Sequence, residues 1–138
     1  MISAEYAAIE ATHENGQIFT SDTAASARKI YTTTEPLQLA LAITPFNHPL
    51  NQIVHKIAPA IAAGTPLLLK PSDKTPLVAI KFTEVLYEAG LPDYMLSTVL
   101  GPIDKLVNPL IQDSRIELVS FTGSVAIGKQ IAKTAGYK

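Results

Sequence analysis

Residues 39–76 read LALAITPFNHPLNQIVHKIAPAIAAGTPLLLKPSDKTP, and this stretch decides the fold. A short apolar run over 39–43 is followed by apolar residues at the spacing of one helix face, and then by a second apolar run over 67–69. Pro49 falls in the first turn of the predicted helix and Gly64 at its end, where these residue types are favoured. A strand, a helix and a strand that is apolar on both faces are typical of a parallel sheet.

The same strand–helix unit recurs along the rest of the chain. Further helices are predicted from Thr75 to about Gly90, over 103–111 and over 124–135, and further strands over 97–100 and 116–121. This alternation predicts an α/β fold, an open parallel sheet with helices on its faces. Pro59 lies inside the first helix pattern and is expected to kink or break that helix.

The first 38 residues have a different character. An alanine-rich segment over 4–13 predicts a helix. Residues 29–34 are rich in β-branched and aromatic residues and are followed by the Glu35-Pro36 turn, so a hairpin or arm is expected here. We therefore divide the chain into an N-terminal helix (1–15), a β arm (16–38) and a sheet domain (39–138).

The composition argues against several classes of function. The 11 basic and 12 acidic residues nearly balance, without a basic stripe, so neither nucleic acid nor a membrane surface is an expected partner. No stretch approaches the roughly 20 apolar residues of a membrane span, and the N-terminus lacks the features of a signal peptide.

The absence of cysteine excludes disulfides and thiolate metal sites. His48 with His55 lacks a third ligand, so no metal site is expected. A cytoplasmic location is the default expectation.

Three polar segments follow predicted strands. They are Thr44-Pro45-Phe46-Asn47, Lys70-Pro71-Ser72-Asp73, and Gly123-Ser124 with Ile127 and Gly128. Because the carboxyl ends of parallel strands share one edge of the sheet, where ligands bind, we expect the segments to lie together.

Each segment has a functional and a purely structural interpretation. Asn47 could stabilise an oxyanion or cap a helix. Lys70 and Asp73 could bind ribose hydroxyls or phosphates; alternatively, Lys70 extends to solvent while Ser72 or Asp73 caps the next helix. Gly123 and the helix after it could bind a phosphate or form an ordinary strand–helix turn, since the GxGxxG spacing is absent.

Taken together, the motifs resemble those of the aldehyde dehydrogenase superfamily over residues 16–138. Residues 44–47 resemble its P-(W/F)-N segment, 70–76 its K-P-S-E-x-T-P segment, 88–92 its E-A-G-L-P segment and 121–128 its F-T-G-S-x-x-x-G segment, and Lys56 matches a lysine nine residues after the asparagine. The resemblance implies part of a Rossmann-like NAD(P)-binding domain over 39–138, preceded by an oligomerisation arm, hence an incomplete aldehyde dehydrogenase fold.

The resemblance also implies roles by position. Asn47 would donate its amide to the oxyanion of a thiohemiacetal. Cofactor-binding roles would fall on the main chain of Ile43, Thr44, Pro45 and Phe46, on Lys70, Ser72 and Asp73 at the adenosine ribose, on Gly123, Ser124 and Gly128 at the pyrophosphate, and on Ile127 near the adenine.

The implied reaction oxidises a small aldehyde to its acid with NAD or NADP, through a cysteine thioester, in a homo-oligomer. Asp73 stands where the family usually has glutamate, which leaves the choice between NAD and NADP open. The family's general base and cysteine would lie beyond Lys138, so the 138-residue chain alone is predicted to be inactive. Residues 46–51 and 135–138 resemble the lactaldehyde or phosphonoacetaldehyde branch. A non-catalytic nucleotide-binding module and an assembly partner remain as alternatives.

Overall fold

The structure is a computed structural model, which describes residues 2–13, 16–21 and 28–136. Its elements are α1 (Ile2–Glu10), β1 (Ile18–Ser21), β2 (Arg28–Tyr31), β3 (Ala40–Ile43), α2 (Pro49–Ala62), β4 (Leu67–Lys70), α3 (Pro76–Glu88), β5 (Leu96–Thr98), α4 (Ile103–Gln112), β6 (Leu118–Phe121) and α5 (Val125–Ala135). A short 3-10 helix, Asp93–Met95, precedes β5. Four strand–helix units follow one another from β3 onward, and the predicted α/β fold is confirmed.

The four strands β3 to β6 form one parallel sheet in the order β5-β4-β3-β6. The chain builds outward from β3 to β4 and β5, and then returns to the other side of β3 with β6. The strand order therefore reverses between β3 and β6, which is the position where open α/β sheets leave a crevice. Ile43 is opposite both Lys70 and Phe121, so the last residues of three neighbouring strands lie in one row.

Both faces of this sheet are covered. Alternate residues of β3 point to opposite sides: Ala42 joins the core beneath α2 and α3, whereas Leu41 joins the core beneath α4 and α5. Ile57 of α2 and Val107 of α4 are almost fully buried in these two cores. Burial of such aliphatic side chains contributes about 1.5–3 kcal/mol each, so the apolar runs stabilise the sheet from both sides.

The arm segment contains an antiparallel pair of strands, in which Ile18 is opposite Tyr31. Gly16 just before it allows close chain approach, because a Cβ atom there would lie 2.3 Å from the carbonyl oxygen of Thr32. β2 ends at Tyr31 and not at residue 34, and α1 ends at Glu10 and not at residue 13. Among the described residues, no helix has the length and apolar character that a membrane crossing requires.

Pro59 does not break α2, which continues from Pro49 to Ala62. Proline removes only its own N–H, and its carbonyl still accepts a bond from the N–H of Ala63. Ile57, two residues before Pro59, packs against the sheet and holds the helix in place. Of the two predicted outcomes at Pro59, the break is wrong.

Candidate functional site

The three predicted polar segments begin at neighbouring strand ends. The N–H of Thr44 donates to the carbonyl of Lys70 at 3.2 Å, and the N–H of Thr122 donates to the carbonyl of Ile43 at 3.1 Å. These two bonds continue the sheet pairing one residue past the strands. The structure therefore brings the three segments to one edge, beside the reversal of strand order.

Lys70 and Asp73 form an ion pair at this edge. The Lys70 side chain is 3% exposed, and its Nζ lies 2.8 Å from Oδ1 of Asp73, whose side chain is 56% exposed. The interpretation that Lys70 extends to solvent is wrong. The capping interpretation is wrong too, because Thr75 occupies the N-cap of α3, and Ser72 instead accepts a bond from the N–H of Lys74.

This pair has capacity for a ligand. An ammonium has three N–H donors and a carboxylate has two oxygens. One bond between them therefore leaves further donors and acceptors available to a ligand. A donor beside an acceptor, at the rim of the sheet, suits a pair of neighbouring hydroxyls. The exposure of Asp73 gives such hydroxyls access.

Asn47 is not the N-cap of α2, which corrects the prediction from sequence. The cap is His48, with left-handed dihedral angles (φ 48°, ψ 52°) and no side-chain capping bond. Pro49 at the first helical position disfavours the right-handed helical conformation for the residue before it, so the turn falls one residue later than predicted. Asn47 is exposed, and its amide makes no hydrogen bond to another described residue.

Phe46 and Thr44 belong to the same loop. Phe46 is 52% exposed, and the Nζ of Lys74 lies 4.5 Å from the centroid of its ring. Thr44 is 4% exposed, and its hydroxyl has no partner in the described part of the chain. Pro45 between them is partly buried. The sequence did not indicate the contact of Lys74 with Phe46, because the two residues follow different strands.

The third segment starts α5. Ser124 is the N-cap, and its Oγ accepts a bond from the N–H of Ile127 at 3.4 Å. This leaves N–H groups of the first turn for water or an anion, which the helix dipole also favours. The side chain of Ile127 packs against the core beneath α4 and α5. The same geometry also serves an ordinary strand–helix turn.

The two glycines of this segment accommodate Phe121. A Cβ atom at Gly123 would lie 2.5 Å from Cζ of Phe121, and one at Gly128 would lie 3.3 Å from Cε1. A side chain at Gly123 would therefore force the ring to move, whereas at Gly128 a shift of a few tenths of an ångström would suffice. The absence of side chains at the two glycines also leaves the backbone at the start of α5 open to approach.

Lys56 connects α2 to β6 on the face of the sheet that α2 and α3 cover. Its Nζ donates to Oγ of Ser120 at 2.9 Å, and partial burial lowers the pKa of the lysine from its ordinary value of 10.5. Within the described ranges, no group of three histidine, cysteine, aspartate or glutamate residues could hold a metal ion.

Comparisons with known proteins place the chain in a family. The aldehyde dehydrogenase family matches residues 2–138. An aspartate-semialdehyde dehydrogenase of Pseudomonas canavaninivorans is 42% identical over 131 residues, or 94% of this chain and 28% of that protein. A lactaldehyde dehydrogenase of Methanococcus maripaludis is 44% identical over 113 residues, which are 79% of this chain and 24% of that protein.

A solved structure extends the likeness to three dimensions. The crystal structure of betaine aldehyde dehydrogenase from Staphylococcus aureus in complex with NAD+ superposes with a TM-score of 0.86 at 36% identity, covering 96% of this chain and 26% of that one. The chain belongs to the aldehyde dehydrogenase family, and it spans about a quarter of the length of these relatives.

Proposed function

We propose that this chain is the cofactor-binding part of an NAD(P)-dependent aldehyde dehydrogenase that oxidises a small aldehyde to its acid. The observation that carries the proposal is the buried Lys70 ammonium and its exposed partner Asp73, in register with Ile43 and Phe121 at the strand ends. Family membership supports the reaction class, and the relative from Staphylococcus aureus binds NAD+.

The residues present fit an NAD(P) cofactor. Lys70 would donate to, and Asp73 accept from, the hydroxyls of the adenosine ribose. Ser72 and the main chain of Ile43 to Phe46 would line the same edge, while the pyrophosphate would lie against Gly123, Ser124 and Gly128 at the start of α5 and the adenine near Ile127. When bound, the cofactor supplies the hydride acceptor.

In this proposal Asn47 is the catalytic residue of the chain. Addition of a nucleophile to an aldehyde places negative charge on the carbonyl oxygen, and an amide N–H fixed nearby stabilises that charge. Asn47 suits this role because its amide is exposed and is not used by any described neighbour. Its loop also starts from a strand end that is bonded to Lys70.

The nucleophile must come from outside residues 1–138 if it is a thiolate, because these residues contain no cysteine. We therefore expect residues 1–138 alone to turn over no aldehyde. The general base that hydrolyses the thioester is likewise assigned to another part of the protein. The contribution of this chain is to bind the cofactor and to polarise the substrate.

The aldehyde, the assembly and the location are extensions of the same proposal. The relatives are named for aspartate semialdehyde, lactaldehyde and betaine aldehyde, so family membership supports a small polar aldehyde without selecting one. The lactaldehyde or phosphonoacetaldehyde branch is our preferred choice.

The exposed apolar residues Ile18, Phe19, Ile30 and Tyr31 support assembly of a homo-oligomer through the arm. We place the protein in the cytoplasm, with NAD or NADP as its cofactor.

Replacement of Asn47 tests the proposal. In the full gene product, Asn47→Ala should lower kcat about 100- to 1000-fold, the usual cost of losing one oxyanion donor. The Kd for NAD, measured by calorimetry, should stay unchanged. The matched control is Asn51→Ala, an exposed asparagine in the first turn of α2, which should retain wild-type kcat.

The opposing outcomes are distinct. A full gene product that binds NAD or NADP but oxidises no aldehyde across a panel of small aldehydes would favour the non-catalytic module. Full activity of the Asn47→Ala variant would remove Asn47 from the mechanism while leaving the cofactor site in place.

A further inference from the structure

Two of the loops at the strand ends are joined by a side-chain contact. The Nζ of Lys74 lies 4.5 Å from the centroid of the Phe46 ring, a distance at which a cation is attracted by an aromatic face. Phe46 immediately precedes Asn47, and Lys74 immediately follows Asp73. Among the described residues Lys74 forms no ion pair, so no carboxylate competes with the ring for its charge.

Few other interactions fix the loop that carries Asn47, which we call the Asn47 loop (residues 44–48). At one end the N–H of Thr44 bonds to the carbonyl of Lys70, and at the other the carbonyl of His48 accepts the N–H of Gln52. Between these ends, Pro45 has no N–H, and Phe46 and Asn47 take part in none of the hydrogen bonds of the described residues. Within the part of the chain that the structure describes, the ring contact is therefore the only specific interaction in the middle of the loop.

Lys74 is the better fixed of the two partners. Its N–H donates to Oγ of Ser72 at 3.3 Å, and the N–H of the next residue, Thr75, donates to the carbonyl of Ser72 at 3.1 Å. Thr75 is also the N-cap of α3, so the backbone of Lys74 is tied to a helix. A cation carried on a fixed backbone, beside a ring on a less restrained backbone, should restrict the ring.

We infer that Lys74 is a positioning residue: its ammonium holds the Phe46 ring and thereby sets the orientation of the Asn47 amide. The inference rests on the proposed function of Asn47 as an oxyanion donor. Cation–π contacts at exposed sites are weak, so the loss of this one should shift the population of the productive loop about two- to five-fold. In this role Lys74 contacts neither substrate nor cofactor.

The test is a double-mutant cycle in the full gene product. Lys74→Met keeps most of the side-chain length and removes the charge, whereas Phe46→Leu removes the ring. Each should lower kcat about two- to five-fold, and the double variant should be no slower than Phe46→Leu alone. Lys74→Met should also leave the Kd for NAD unchanged. Lys74→Arg should restore wild-type kcat, since arginine also binds aromatic faces.

A second readout does not depend on activity. Conformational exchange of residues 46–48, followed by NMR relaxation dispersion, should increase in Lys74→Met and return to the wild-type value in Lys74→Arg. The matched control is Lys81→Met, which removes an exposed lysine whose ion pair lies with Glu84 on α3. It should leave both kcat and the exchange of residues 46–48 unchanged.

The results that overturn the inference differ from those that overturn the proposed function. Additive effects on kcat, or unchanged exchange of residues 46–48, would show that Lys74 does not act through Phe46. A Kd for NAD that rises in Lys74→Met and rises equally in the Phe46→Leu background would make Lys74 a cofactor ligand. Full activity of Asn47→Ala would instead refute the role of Asn47, and the exchange measurement would still decide whether Lys74 orders the loop.

Discussion

Lys70 and Asp73 form an ion pair in which the lysine is buried and the aspartate is exposed to solvent. Their charged atoms lie 2.8 Å apart, yet 3% of the lysine side chain and 56% of the aspartate side chain are exposed. The lysine therefore depends on the aspartate more than the aspartate depends on the lysine. Loss of one partner of a buried pair costs about 3–5 kcal/mol, and the exposure of Asp73 lets water replace part of that interaction.

We expect Asp73→Ala to lower the free energy of unfolding by about 1–3 kcal/mol and to weaken binding of NAD and NADP. Urea denaturation and calorimetry measure the two effects. Asp93→Ala is the matched control, because Asp93 is exposed in the short helix before β5. Equal losses of stability in the two variants would refute the dependence of Lys70 on Asp73.

A methyl group at Gly123 should destabilise the fold. It would lie 2.5 Å from Cζ of Phe121, so Gly123→Ala forces the ring or the start of α5 to move, at about 1–3 kcal/mol. Gly128→Ala should cost less, because its methyl group would lie 3.3 Å from the ring. Differential scanning calorimetry of the two variants should rank them in this order.

Phe121→Leu provides the check on this explanation. In the Gly123→Ala background it removes the part of the ring that clashes, and the double variant should be more stable than the sum of the two single effects predicts. Strict additivity would mean that the methyl group at Gly123 is not limited by the Phe121 ring.

The order of strands and helices was predictable because the helices follow a local period and the central strands are short apolar runs. The runs over 39–43 and 67–69 became β3 and β4, and Gly64 takes the positive φ of 68° that ends α2. The position of β6 beside β3 was not predictable in this way, since pairing between strands distant in the chain depends on tertiary packing.

The site was less predictable than the fold, for the same reason. That the polar segments follow strand ends could be deduced from sequence, but the burial of Lys70 could not, because a lysine at a strand end usually reaches solvent. The Asn47 cap was wrong by one residue, because Pro49 forces His48 to take the turn. Contacts between loops, such as Lys74 with Phe46, have no local pattern at all.

His48 is the only non-glycine residue with positive φ in the described part of the chain. Left-handed backbone costs about 1–2 kcal/mol for a residue with a Cβ atom, and glycine avoids this cost but loses more entropy on folding. We expect His48→Gly to be more stable to urea than His48→Ala, by about 1 kcal/mol. The alanine variant separates backbone strain from loss of the imidazole, and equal stabilities would show that the turn is not strained.

Lys56 should make stability depend on pH in the alkaline range. Burial lowers its pKa in the folded protein below the ordinary value of 10.5, so the folded state loses its proton first. Between the two pKa values the unfolded chain binds more protons, and the free energy of unfolding therefore rises with pH. Below the folded pKa both states are protonated, and the cost of burying the charge is constant.

Lys56→Met should reduce this alkaline rise, because the group that releases the proton is gone. At neutral pH the variant loses the bond to Ser120 but is also relieved of the desolvation of the ammonium, so its stability should lie near or above that of the wild type. Urea denaturation at a series of pH values up to about 10.5 measures the slope. Lys105→Met, at an exposed position of α4, should keep the wild-type slope. An unchanged slope in Lys56→Met would mean that the lysine is hydrated in the folded protein and that its contact with Ser120 carries no desolvation cost.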